Sequence, residues 1–127
     1  MSMIQVNLMH IFLIAPTLLF IGTLSDENLN NNNKKYIDFA FNALILYSLL
    51  IPFIVRRNFI KQIFTENTLT IRNWINLLHY IFFMGLFFYI GYQGRTISKL
   101  LQYECIILGI SMISIHLYHL YDKIYKN

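Results

Sequence analysis

This sequence predicts an all-α fold: a four-transmembrane-helix bundle forming a single integral membrane domain over residues 1–127. Three observations predict it. Hydrophobic residues make up 57% of the chain and charged residues only 13%, with a mean hydropathy of +0.51, more apolar surface than so short a soluble domain buries. The apolar residues gather into four runs, about 8–24, 36–55, 74–92 and 101–121. A hydrocarbon layer about 30 Å thick takes roughly 20 helical residues to cross, and each run is near that length. Within a run the apolar residues are continuous, whereas a barrel strand would alternate them. In lipid each backbone amide must find its partner inside its own segment, so the runs are expected to be helices.

The first run has no basic segment before Leu8 and no small-x-small site after Phe20, so it is expected to be a retained span and not a secretory leader. The link 25–35 carries Asp26, Glu27, the asparagines 30–33, Lys34 and Lys35, and reads as a solvated loop of zero net charge. In the second run Pro52 removes an amide donor, so a bend or an early end is expected there. The link 56–73 places Phe59, Ile60, Ile63 and Phe64 on one helical face and Arg57 and Lys61 off it. That pattern fits an interfacial helix in the headgroup plane, or an ordinary loop that continues the second span. Trp74, Tyr118 and Tyr121 are expected to mark one headgroup belt, and Tyr36, Tyr89, Tyr92 and Tyr103 the other.

The net charge of +4 does not point to nucleic acid, because the ten basic residues are scattered among helix ends and form no stripe. The expected partners are the lipid bilayer and further copies of the chain or other membrane-complex subunits. With four spans, one face holds Arg56, Arg57, Lys61, Arg72, Lys123 and Lys126, and the other Lys34, Lys35, Arg95 and Lys99. The bias places both termini in the cytosol. Cys105 is the single cysteine, so no intrachain disulfide is possible.

An internal repeat organises the runs. A shift of 69 residues lays 7–22 (NLMHIFLIAPTLLFIG) over 76–91 (NLLHYIFFMGLFFYIG) without a gap, matching Asn7 with Asn76, His10 with His79 and Gly22 with Gly91. A shift of 66 sets Asp38 against Glu104. Two tandem helical hairpins related by a pseudo-twofold axis along the membrane normal follow, since each hairpin crosses the membrane twice. Gly22 and Gly91 are expected to act as left-handed helix caps. The small residues Ala40, Ala43, Gly109, Ser111 and Ser114 are expected to let the second and fourth helices approach.

No catalytic spacing is present: no P-loop, no GxSxG and no paired carboxylates on one helix face, so a non-enzymatic scaffold or subunit is expected. Four histidines fall on one side of the bilayer, His10 and His79 early in the first and third runs and His116 and His119 late in the fourth. Imidazole ligates haem and transition metals, which makes His79 and His116 candidate haem ligands and all four candidate metal ligands, although no cofactor is required by the pattern. Asp38 and Glu104 are the acids nearest hydrocarbon. They are the candidates for an ion or proton path in an oligomeric channel, against the simpler role of acids at a helix start.

The first run, His10-Ile-Phe-Leu-Ile-Ala-Pro16-Thr-Leu-Leu-Phe-Ile-Gly22, and the ending His116-Leu-Tyr118-His119-Leu-Tyr121 together resemble the small multi-pass membrane proteins of large DNA viruses of algae and protists. Those often pair an H-x5-P-L-L-x-x-I-G opening with a Y-H-x-Y ending; Thr17 stands here where that pattern has leucine. The resemblance covers two helices. It implies a membrane setting, such as the inner membrane of a virion, and no mechanism.

Overall fold

The computed structural model describes residues 3–54 and 71–126, and every regular element among them is helical. They form four rods. Rod 1 comprises α1 (Met3–Met9), a π-helical turn π1 (His10–Ile14) and α2 (Ala15–Gly22), and rod 2 is α4 (Lys35–Ile54). Rod 3 comprises α5 (Ile71–Leu78), a second π-helical turn π2 (His79–Phe83) and α6 (Met84–Gln93), and rod 4 is α7 (Lys99–Tyr125). A short α3 (Asp26–Asn30) joins rods 1 and 2, and a 3-10 turn (Gly94–Thr96) joins rods 3 and 4. Each rod reaches a little beyond the expected run at one end or both. The interfacial helix expected over 56–73 lies, up to residue 70, outside the described residues.

Local chemistry explains the punctuation. Pro16 offers no amide hydrogen to the carbonyl four residues back and its ring crowds that carbonyl. The turn before it opens by one residue, and the Ala15 amide reaches the His10 carbonyl. Rod 3 carries Gly85 at the matching position, a weak helix former, and opens the same way at His79–Phe83. The two π turns are thus 69 residues apart, the offset of the sequence repeat. Ser25 and Ser98 cap α3 and α7, each Oγ accepting from a backbone amide three residues on at 3.2 Å. Gln102, buried, donates its Nε2 to the Ile21 and Leu24 carbonyls at 3.1 and 2.9 Å, tying the chain leaving rod 1 to rod 4.

Rod 4 packs antiparallel along rod 1, and rod 3 packs antiparallel along rod 2. Rods 1 and 2 touch over a smaller area, while rod 4 barely touches rods 2 and 3 among the described residues. The expectation that small residues bring rods 2 and 4 together is therefore corrected. Gly109 faces Leu19 and the Ala15 carbonyl of rod 1, because a helix without a side chain at that point can lie against its antiparallel neighbour.

The glycine caps are also corrected. Gly22 and Gly91 lie inside helices at the two closest crossings, and the positive φ, 54°, belongs to Gly94. A β carbon on Gly22 would meet Ile106 Cγ1 at 2.5 Å and the Gln102 carbonyl oxygen at 2.7 Å. A β carbon on Gly91 would meet Ile45 Cγ1 at 2.5 Å and the Phe41 carbonyl oxygen at 2.7 Å. The same crossing is built twice.

That correspondence fixes the second half of the repeat. Rod 1 maps to rod 3 by 69 residues, and Phe41 and Ile45 of rod 2 map to Gln102 and Ile106 of rod 4 by 61, not 66. The core follows the same register: Leu18 and Phe87, Ile21 and Ile90, and Leu44 and Cys105 are all buried pairs. The eight-residue difference between the offsets is taken up by the longer link containing α3. Asp38 consequently corresponds to Lys99 and not to Glu104.

Two helices among the described residues are long and apolar enough to cross a membrane, Ile4–Gly22 and Lys99–Tyr125. Only 17% of the apolar stretch of α7 is buried, and large side chains such as Phe12, Phe39, Ile81, Leu100 and Ile107 stand exposed around the rods.

Candidate functional site

At one end of the rods the chain ties itself together through Arg95. Its Nε and one terminal nitrogen donate to the two Asp38 carboxylate oxygens at 2.7 and 3.2 Å. The terminal nitrogens also donate to the carbonyls of Asn28, Leu29, Asn31 and Lys34 at 3.2, 3.0, 2.8 and 2.8 Å. One planar guanidinium thereby fastens the link after rod 1 and the start of rod 2 to the turn after rod 3. The hydrogen bond to Asp38 raises the Arg95 pKa above its ordinary value, so the guanidinium keeps its charge.

Asp38, a candidate ion-path acid with Lys34 and Lys35 near it in the sequence, pairs with Arg95, while Lys34 donates to the Asn28 side chain at 2.6 Å. Lys99, which the sequence sets five residues before Glu104, pairs with Asp26 at 3.0 Å. Sequence neighbours lose here because the rod ends bring residues from separate links together. The two pairs are themselves related: Asp26 lies 69 residues before Arg95, and Asp38 lies 61 before Lys99. The same bridge is thus built twice between the halves, with its charges exchanged. Glu104 sits on rod 4, beside Cys105 and away from Asp38 on rod 2.

The opposite end holds the histidines. His10, at the start of π1, is buried, and its Nδ1 lies 2.7 Å from the Val6 carbonyl, to which it donates. His116 of rod 4 donates from Nδ1 to the Asn7 Oδ1 at 2.7 Å. The two rings stack, centroids 4.2 Å apart and planes 22° apart, and His119 lies edge-on to His116 at 6.4 Å. His79 opens π2, and its side chain lies outside the described residues. The ring that stacks on His116 among the described residues is that of His10, and not the His79 proposed with it as a haem pair, whose side chain lies outside them.

This stack bears on axial ligation. Imidazole nitrogens bind a metal at about 2 Å, so two rings aimed at one iron from opposite sides have centroids roughly 6 Å apart or more. His10 and His116, parallel and closer, cannot clasp a haem between them. Among the described residues no three histidine, cysteine, aspartate or glutamate side chains converge as a metal-binding group.

Asn7 is the residue that sequence reasoning missed. It is 2% exposed and holds His116 across the rod 1–rod 4 interface. The signal available was a polar side chain in an apolar run, one turn before His10. Asn7→Leu leaves the His116 donor without its acceptor, and is expected to lower stability by about 1–3 kcal/mol. Unfolding in a denaturing-detergent titration measures it. Equal stability of Asn7→Leu and the parent would remove this bond from the account.

Above the stack all four rods line a cavity of about 400 Å³, walled by residues such as Leu13, Ile14, Tyr47, Phe87, Leu108 and Met112, with His10, Ser111, His116 and His119 as its polar edge.

The class these features define is a protein helical throughout its described residues, with two helices among them long and apolar enough to cross a membrane and a histidine-edged, partly open cavity. No family model, curated protein or solved structure matches this chain.

Proposed function

We propose that the chain is a multi-pass integral membrane protein in which all four rods cross the bilayer, acting as a non-enzymatic structural subunit of a larger membrane assembly or homo-oligomer. Its two halves are related by a pseudo-twofold axis along the membrane normal. The observation that carries this reading is the uncovered apolar surface of α7. The core helix of a soluble protein is hidden by its neighbours, but here only 17% of an apolar stretch is buried, and large side chains such as Ile107, Ile110, Ile115 and Leu117 stand exposed along it. Water does not tolerate contiguous apolar surface on this scale, and hydrocarbon does. The matched π turns, matched glycine crossings and charge-exchanged bridges support the twofold arrangement.

Membranes from expressing cells, washed in alkaline carbonate, test the reading. The chain is expected in the pellet, extracted only by detergent. Release into the wash, or a monodisperse preparation without surfactant, overturns it.

A further inference from the structure

The cavity at the histidine end has an asymmetry that selects its occupant. Its inner wall is hydrocarbon and aromatic: Ile14, Tyr47, Phe87, Leu108 and Met112. Most of its polar edge runs along α7, with His10 facing it from rod 1, and on α7 Ser111 and His119 have no hydrogen-bond partner among the described residues. His119 is exposed, just before the charges that close rod 4, Asp122, Lys123 and Lys126, which follow a run without charged residues from Cys105 onward. A molecule lying in the cavity thus has its apolar body between the rods and its head at His119, near the membrane face. The seam between rods 3 and 4, which barely touch, gives a chain a way in from the side. The volume, about 400 Å³, is in the range of sites that take one small molecule.

We infer that this cavity binds one long-chain carboxylic acid, its alkyl chain between the rods and its carboxylate at His119. The choice of head follows from charge. Asp122 is paired with Lys126 at 2.8 Å, and with Lys123 beside them the charges that follow His119 in the chain sum to a net positive value. Imidazole serves a carboxyl group in either protonation state, donating to the carboxylate as imidazolium or accepting from the neutral acid. A single chain fits where a two-chain phospholipid would need twice the room. The inference rests on the membrane reading, since the entry route is lateral.

The test is photolabelling of the full chain in phosphatidylcholine liposomes with a diazirine-bearing palmitic acid. Labelled peptides from segments 9–14 and 108–119 are expected, with labelling displaced by unlabelled palmitic acid and not by methyl palmitate. Met112→Trp, which fills the cavity, is expected to abolish this labelling. His119→Ala, at an exposed position that folding does not need, is expected to raise the half-displacing concentration about tenfold, as loss of one hydrogen bond to a charged group does. Equal displacement by the methyl ester overturns the carboxylate assignment. Labelling spread over outward positions and unchanged by both variants reports boundary lipid and overturns the site. Flotation of the liposomes separates the two proposals: protein that floats without specific labelling overturns the ligand alone, and protein that does not float overturns both.

Discussion

Alanine at Gly22 or at Gly91 lowers the stability of the bundle by about 1–3 kcal/mol, and by nearly the same amount at each. The added carbon at either site would lie 2.7 Å from a backbone oxygen of the facing rod, that of Gln102 or of Phe41. An isoleucine tip can swing away, but a helix carbonyl cannot. The crossing must widen, and the buried neighbours Leu18 and Ile21, or Phe87 and Ile90, lose contact with it. Gly85 is the internal control. Nothing stands within 4 Å of a β carbon there, so Gly85→Ala gains helix propensity without a clash and is expected to be neutral or stabilising. Unfolding in mixed micelles with increasing denaturing detergent reads all three. Tolerance at Gly22 together with loss at Gly91 would contradict the matched crossings.

Arg95→Ala is expected to produce the second large effect, a marked fall in the thermal midpoint in mild detergent. The substitution strips the donors from four carbonyls and from Asp38, and frees the link containing α3 from the turn after rod 3. Arg95→Lys is expected to recover little, because a single ammonium cannot reach acceptors spread around a planar fork. Asp38→Asn should cost less than Arg95→Ala, since the carbonyl bonds remain. The charge-exchanged counterpart gives the contrast: Lys99 and Asp26 are both well exposed, 60% and 73% of side-chain surface, so Lys99→Ala is expected to leave the midpoint in place. Parent-like melting of Arg95→Ala would show that the links are held by something else.

What the sequence made legible follows the physics of each signal. Rod 1 and rod 3 were matched at the correct offset because asparagine, histidine and glycine are scarce in an apolar chain. Rods 2 and 4 were matched at 66 instead of 61, because isoleucine and leucine align at many offsets and the α3 insertion hid the right one. Helix depth was enough to bring the histidines to one end, but which ring meets which depends on rod order around the bundle. Rod 1 against rod 4 puts His10 and Asn7 on His116. Arg95 gave no warning, since its acceptors are mostly backbone carbonyls of a link distant in sequence. Pro16 could have announced the first π turn; the second, at Gly85, had no comparable mark.

Side-specific labelling of single cysteines tests the four-span arrangement most directly. Cys105, fully buried, is replaced by alanine, and cysteines are placed at Asn31, Gly94, Lys126 and, in the link between rods 2 and 3, Asn58. In sealed, oriented vesicles a membrane-impermeant maleimide is expected to reach Asn31→Cys and Gly94→Cys from one side only, and Lys126→Cys and Asn58→Cys from the other only. Labelling of Asn31→Cys and Asn58→Cys from the same side would mean that rod 2 does not cross, and the four-span account would be wrong.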